Sequence, residues 1–287
     1  MTESELEVAT AWGRLAGTLL LPAGDGPFCA ALLVAGSGPT DRDGNNALLP
    51  APIDNLKRLA QALAAHGVAT LRYDKRGVGG STCPGLSEEA LRFEHLVDDA
   101  TLLASSLALD ERIGRVVLAG HSEGALIAAL AADEGQAVVS IAGAGLPAST
   151  ILRSQLRGRL PDDLARQATA TLDALERGET VDDVPDDLVL LFRPSVQPYL
   201  ISWFRHDPPS VLSQLQGPVL IVQGTADAQV GMEHAHCLLE GKPDARLRIV
   251  EGMDHLLALH GDIAAGTREV ASEVAAWLQE SAVGVVA

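Results

Sequence analysis

Residues 116–127 read Val-Val-Leu-Ala-Gly-His-Ser-Glu-Gly-Ala-Leu-Ile, and no other stretch of the 287-residue chain limits its fold as tightly. A short apolar, β-branched run is the signal of a strand buried on both faces. The alanine-rich segment from Ala125 to Ala132 has strong helix composition. Between the two lies Gly120-His121-Ser122-Glu123-Gly124, with a glycine two positions to either side of the serine. A turn this tight forces its central residue into strained backbone angles, and the flanking glycines remove Cβ atoms that would clash. Ser122 Oγ is thereby lifted clear of the sheet, and the N–H of Glu123 at the helix start is aimed at any charge developing beside it. The pentapeptide alone is a weak signal. The strand before it and the helix after it favour a nucleophile over a glycine-rich connection carrying a surface serine.

The rest of the chain keeps the same alternation. Residues 15–21 and 30–35 read as two strands joined by a Gly/Pro turn, an antiparallel pair at one edge of a sheet. Asp54 is expected to cap a helix running to about Ala65, with Leu56, Leu59 and Leu63 at core spacing and His66-Gly67 closing it. A strand over 68–73 follows, then a helical pattern over 88–109. Strands over 116–119 and 137–142 flank a helix over 123–133. This rhythm predicts an α/β fold, a mostly parallel doubly wound sheet with helices on both faces. From about residue 146 to 213 no strand-like run occurs. Helical stretches (148–160, 162–178, 186–192 and 195–205) are divided by Pro161, Pro185, Pro194, Pro198 and Pro208-Pro209. Alternation then resumes with a strand over 218–223, a helix over 231–239, a strand over 245–250 and an amphipathic helix over 263–280. The expected organisation is a core made of residues 1–145 and 214–287, with a helical cap inserted at 146–213.

Charge and cysteine usage narrow the function classes. A formal charge of −17 argues against nucleic acid and anionic membrane surfaces as partners. Cys29, Cys83 and Cys237 are odd in number and far apart, so neither a disulfide framework nor a zinc site is expected, and a cytoplasmic location follows. Met1 to Val8 lack the basic and apolar regions of a leader, and no segment approaches the run of about 18 apolar residues that spans a membrane. His234 and His236 form the only close histidine pair, and a spacing of two on a helix points the rings to different faces, so no metal is expected. Gly77-Val78-Gly79-Gly80 lacks the lysine and following helix of a phosphate loop, and no cofactor is implied. Nothing in the sequence sets an oligomeric state.

A serine hydroxyl is a poor nucleophile without a base, and the base needs an acid to orient it. In a doubly wound sheet both belong in loops at the carboxyl ends of strands. Gly224-Thr225-Ala226-Asp227 follows the strand over 218–223, and Glu251-Gly252-Met253-Asp254-His255 follows the strand over 245–250. The candidate catalytic residues are therefore Ser122, Asp227 and His255. The strand before the cap ends Ala142-Gly143-Ala144-Gly145 and offers no competing carboxylate. His260 is the second choice as base, Asp254 reads as a turn or cap residue, and His234 and His236 read as solvent-facing helix residues.

The order Ser-Asp-His, the G-H-S-E-G turn and the loop Asp74-Lys75-Arg76-Gly77-Val78-Gly79-Gly80-Ser81 resemble the α/β-hydrolase superfamily over nearly the whole chain. Gly-Ser-Gly-Pro-Thr-Asp-Arg-Asp-Gly-Asn at 36–45, taken with the turn around Ser122, is similar to a bacterial group of carboxylesterases related to serine aminopeptidase and dienelactone-hydrolase-like branches. The resemblance implies an α/β-hydrolase fold, a small-molecule ester substrate and an acyl-enzyme intermediate. It further implies an oxyanion hole built from the backbone N–H groups of Glu123 and Ser37, with Gly38 as the alternative to Ser37. Many relatives carry His-Gly where residues 35–36 read Ala-Gly. Asp74 and Arg76 are expected to hold their loop together. Asp41, Arg42 and Asp43 read as an internal Arg–Asp pair bracing theirs, with substrate contact as the alternative. Aminopeptidases and thioesterases use the same triad, and a non-catalytic ligand-binding protein on this fold also stays open. The aminopeptidase version needs a carboxylate for the substrate amine, and Glu123 and the acids of the cap are its candidates.

Overall fold

The strands are β1 (Thr2–Thr10), β2 (Gly13–Leu21), β3 (Phe28–Val34), β4 (Ala69–Tyr73), β5 (Ile113–His121), β6 (Val138–Ile141), β7 (Val219–Gly224) and β8 (Arg246–Val250). In the computed structural model, which describes residues 1–46 and 51–283, they make one sheet in the order β1-β2-β4-β3-β5-β6-β7-β8. β2 runs antiparallel to both of its neighbours, and every pairing from β4–β3 to β7–β8 is parallel. Strands buried on both faces are apolar throughout but still divide by alternation. Ala30, Leu32 and Val34 of β3 share one core with Val116 and Leu118 of β5, while Ala31 and Leu33 share the other with Val117 and Ala119.

Parallel strands need crossovers. Helix α1 (Asn55–Ala65) joins β3 to β4 and lies on the second of these cores through Leu56, Leu59 and Leu63. Helices α2 (Phe93–Ala108) and α3 (Glu123–Ala131) cover the first. Helix α3 is apolar on nearly every side, as its position between the sheet and α2 requires.

Between β6 and β7 come α4 (Ala148–Leu156), α5 (Asp162–Glu176), α6 (Val189–Phe192), α7 (Gln197–Trp203) and α8 (Pro208–Ser213). They carry a small core of their own, centred on Leu172, Leu175, Leu188, Phe192 and Leu200. Helix α7 is the seam, since Tyr199 and Trp203 pack against both this cluster and the sheet's first core. There the Trp203 ring stacks on Phe93 with centroids 5.9 Å apart, and Ser202 Oγ accepts from the Phe93 N–H at 2.8 Å. Leu212 of α8 belongs to the sheet's core. Helix α9 (Met232–Gly241) joins β7 to β8, and α10 (Ile263–Val283) packs along α1. No helix among the described residues is long and apolar enough to cross a membrane.

Two expectations from sequence are corrected, and one strand was not expected. The segment 15–21 does not pair with 30–35, because β4 lies between them: the crossover through α1 places β4 beside β3, and β2 takes the remaining edge of β4. Residues 2–10, polar in composition, form β1. Its Leu6 and Val8 pack on the core while Glu3, Glu5 and Glu7 pair with Arg72, Arg42 and Arg14, an alternation an edge strand accommodates. Asp54 stands just before α1 at φ 53° but makes no side-chain cap bond. Its carboxylate accepts from Asn45 Nδ2 at 2.8 Å, and the Asp43 carbonyl takes the free N–H groups of Leu56 and Lys57 instead.

Candidate active site

Ser122 sits where β5 turns into α3, at φ 56° and ψ −121°. A non-glycine residue held there carries strain on the order of 1–3 kcal/mol. The flanking glycines are required by contact. A Cβ on Gly120 would stand 1.9 Å from the Gly124 carbonyl oxygen, and one on Gly124 would stand 2.3 Å from that of Val34. The serine N–H donates to the Ile141 carbonyl of β6 at 2.9 Å, which fixes the turn to the neighbouring strand.

Asp227 and His255 reach the serine from the loops after β7 and β8. His255 Nε2 lies 3.0 Å from Ser122 Oγ, and His255 Nδ1 lies 2.8 Å from Asp227 Oδ2. Asp227 is itself held, with Oδ1 accepting from the N–H groups of Gln229 and Val230 at 2.9 and 2.8 Å, and Oδ2 also from Gln223 Nε2 at 3.3 Å. Burial pushes the Asp227 carboxyl upward, but the His255 ring and the two amides outweigh it and leave the group below its ordinary value. The structure thus brings the three candidates together in the order serine, imidazole, carboxylate. His121 supports the arrangement from beneath. Burial and then the charge of His255 push its imidazole down to about 4. It is neutral near pH 7, and its Nε2–H donates to the His255 carbonyl at 2.8 Å.

The loop after β3 approaches the serine closely. A Cβ on Gly36 would be 3.4 Å from Ser122 Cβ and 3.3 Å from His121 Nδ1. Ser37 and Gly38 follow directly, with Gly38 at φ 77°, and Thr40 closes the turn onto both of their carbonyls at 2.8 Å. Behind this loop Lys75 Nζ donates to the Gly36 carbonyl at 2.5 Å and to Glu123 Oε2 at 2.8 Å. The other Glu123 oxygen accepts from Tyr199 OH of α7 at 2.5 Å. Burial and that carboxylate hold the Tyr199 phenol protonated, well above its ordinary range.

Asp74 and Arg76 brace their loop through separate partners. Asp74 accepts from Gly80 N and from the Arg42 backbone and guanidinium, while Arg76 pairs with Asp99 of α2 and lies 4.0 Å over the Trp12 ring. The pair expected within 41–43 is replaced by outward contacts. Arg42 joins Asp74 and Glu5, Asp43 joins Arg72 and Lys57, and Asp41 accepts from the N–H groups of Asp43 and Asn45. His234 is buried, not solvent-facing: α9 turns it inward, where Nδ1 accepts from Gly145 N at 3.1 Å. His236 and His260 are exposed, and Asp254 accepts from the N–H groups of Leu256 and Ala258 as a turn residue. Sequence alone does not mark Lys75 or Tyr199 as site residues. Lys75 lies inside the 74–81 motif, whereas no local pattern marks Tyr199.

Comparison with known proteins agrees with this fold. Residues 12–267 match a family model described as the alpha/beta hydrolase family. Esterase EstD of Thermotoga maritima is 30% identical over 249 residues, which are 85% of this chain and 58% of that protein. The chain therefore spans less than two thirds of that relative's length. Among solved structures, the alpha/beta hydrolase GrgF from Penicillium sp. sh18 superposes with a TM-score of 0.65 at 19% identity, over 98% of this chain and 99% of that one. Est1E from Butyrivibrio proteoclasticus, solved with ferulic acid bound, gives 0.64 at 17% identity over 94% and 96%. At these identities the likeness is one of fold.

Proposed function

We propose that this chain, which belongs to the α/β-hydrolase family, cleaves carboxylic esters through Ser122, His255 and Asp227. The observation that carries the reading is the unbroken run of hydrogen bonds from Ser122 Oγ through His255 to Asp227, at 3.0 and 2.8 Å, beside a serine in a strained turn. His255 Nε2 takes the hydroxyl proton as Oγ attacks the ester carbonyl carbon. The N–H groups of Glu123 and Ser37 receive the oxyanion, and Asp227 keeps the imidazole proton on Nδ1. Collapse breaks the carbon–oxygen bond to the alcohol, which leaves with the proton from His255. Water then attacks the acyl-serine, giving its proton to the same nitrogen; the carbon–Oγ bond breaks, His255 returns the proton to Ser122 Oγ, and the carboxylic acid departs. The esterase name of the Thermotoga relative supports the ester as substrate class.

Residues 146–213 serve as a cap over this site, a role supported by the reach of Tyr199 from α7 to the residue next to the nucleophile. The unpaired cysteines accord with a cytoplasmic location. The aminopeptidase alternative loses one of its candidates, because the Glu123 carboxylate is buried and already satisfied by Lys75 and Tyr199. The test is hydrolysis of p-nitrophenyl esters from acetate to decanoate, with Ser122→Ala beside the wild type. Turnover that falls by about 10⁴ or more in the variant supports the reading. Wild-type turnover in Ser122→Ala would end it.

A further inference from the structure

The Lys75–Glu123 pair lies almost wholly out of water, with side chains 5% and 1% exposed. Removing two charges from solvent is costly for each ion, and well-packed apolar side chains of similar volume often hold a fold as well. Stability alone is therefore a weak reason for this pair to stand here, and its position suggests another. The Gly36 carbonyl that accepts from Lys75 Nζ at 2.5 Å shares one planar peptide with the N–H of Ser37. In a trans peptide the two point in opposite directions. An ammonium group holding the oxygen therefore fixes the direction of the N–H and polarises it as a donor.

The partner of Lys75 carries the other donor. Glu123 binds the lysine through Oε2, while its own backbone N–H stands at the start of α3. A single charged contact thus ties together the two main-chain segments on either side of Ser122. Tyr199 closes the far side, bringing α7 onto Glu123 Oε1.

We infer that Lys75 is a positioning residue: it aims the Ser37 N–H at the oxyanion through the Gly36 carbonyl, and Glu123 and Tyr199 hold it in place. The inference rests on the serine-hydrolase reading above. It predicts a loss confined to the transition state, where the oxyanion exists, with the ground state spared.

The test uses the paired variant Lys75→Met/Glu123→Gln. Both charges go together, so no lone ion is left in the interior, and the glutamine still accepts from Tyr199. Outright removal of an oxyanion donor costs about 10²–10³ in kcat, and a misaimed donor is expected to cost about 10–100-fold. KM for a p-nitrophenyl ester should stay within about threefold of wild type. The inhibition constant of a trifluoromethyl ketone, whose serine adduct carries an oxyanion, should rise by the same factor as kcat falls. Tyr199→Phe should show the same split at smaller amplitude. Ser122→Ala is run alongside as the control on the parent reading. With that control inactive, wild-type kcat and ketone affinity in the paired variant would overturn the positioning role and leave the triad standing. Equal losses in KM and kcat with unchanged ketone affinity would overturn it too.

Discussion

Replacing Asp227 by asparagine tests the polar end of the site with little change in shape. Four donors converge on this carboxylate, two amides on Oδ1 and the His255 and Gln223 nitrogens on Oδ2. An asparagine must turn its NH₂ toward one pair. Facing the amides of Gln229 and Val230, it leaves both N–H groups without their acceptor, the Val230 one buried. Facing His255, it opposes only Gln223, whose Nε2 keeps the Val230 carbonyl at 2.7 Å, because the imidazole can accept in its other tautomer. Each orphaned donor costs on the order of 1–3 kcal/mol, so the second orientation is preferred by about one such cost. His255 then carries its proton on Nε2 and cannot accept from Ser122. A drop in kcat of about 10⁴ is expected, about 5 kcal/mol in activation free energy. Steady-state hydrolysis of p-nitrophenyl butyrate measures it, with a thermal melt to show that the variant is folded. A folded Asp227→Asn enzyme within about tenfold of wild-type kcat would refute the tautomer argument.

Two further outcomes concern the scaffold. Gly124→Ala places a Cβ 2.3 and 2.7 Å from the carbonyl oxygens of Val34 and Ala35, neither of which has room to move, and a loss of about 3 kcal/mol or more is expected in chemical denaturation. The His121 imidazole has a folded value of about 4 against an ordinary 6.5, so the unfolded chain binds the extra proton between those values. Stability from this group is complete above pH 6.5 and is lost as pH falls toward 4. His121→Gln should accordingly remove about 2 kcal/mol of the decline in unfolding free energy between pH 7 and 5.

What the sequence disclosed was what local chemistry encodes. The turn around Ser122 is written in two glycines whose need is steric and immediate. Asp227 and His255 are placed on the side of Ser122 by sequence because each follows a strand, β7 buried throughout and β8 largely open at the sheet edge, and parallel strands deliver their loops to one edge. Partners supplied from far along the chain stayed hidden. The glutamates of β1 show no partners in sequence, because Arg72 and Arg42 come opposite them only through the β2–β4 pairing. Arg42 has an aspartate on either side in sequence and takes Asp74, 32 positions on. His234 reads as solvent-facing, since periodicity cannot reveal that Gly145 N waits on the other side. Tyr199 had no local pattern at all, because its contact exists only once α7 is folded against α3.

The separation of 133 positions between Ser122 and His255 has a consequence in time. At about 5–20 residues per second, a ribosome completes the strained turn roughly 7–27 s before it supplies the imidazole. During that interval the nascent chain holds a serine with nothing to deprotonate it. The base reaches the serine only once β8 is paired with β7, and β7 with β6. Hydrolytic competence would then switch on with the closing step of folding, so the onset of turnover in a refolding chain clocks the arrival of its last strand.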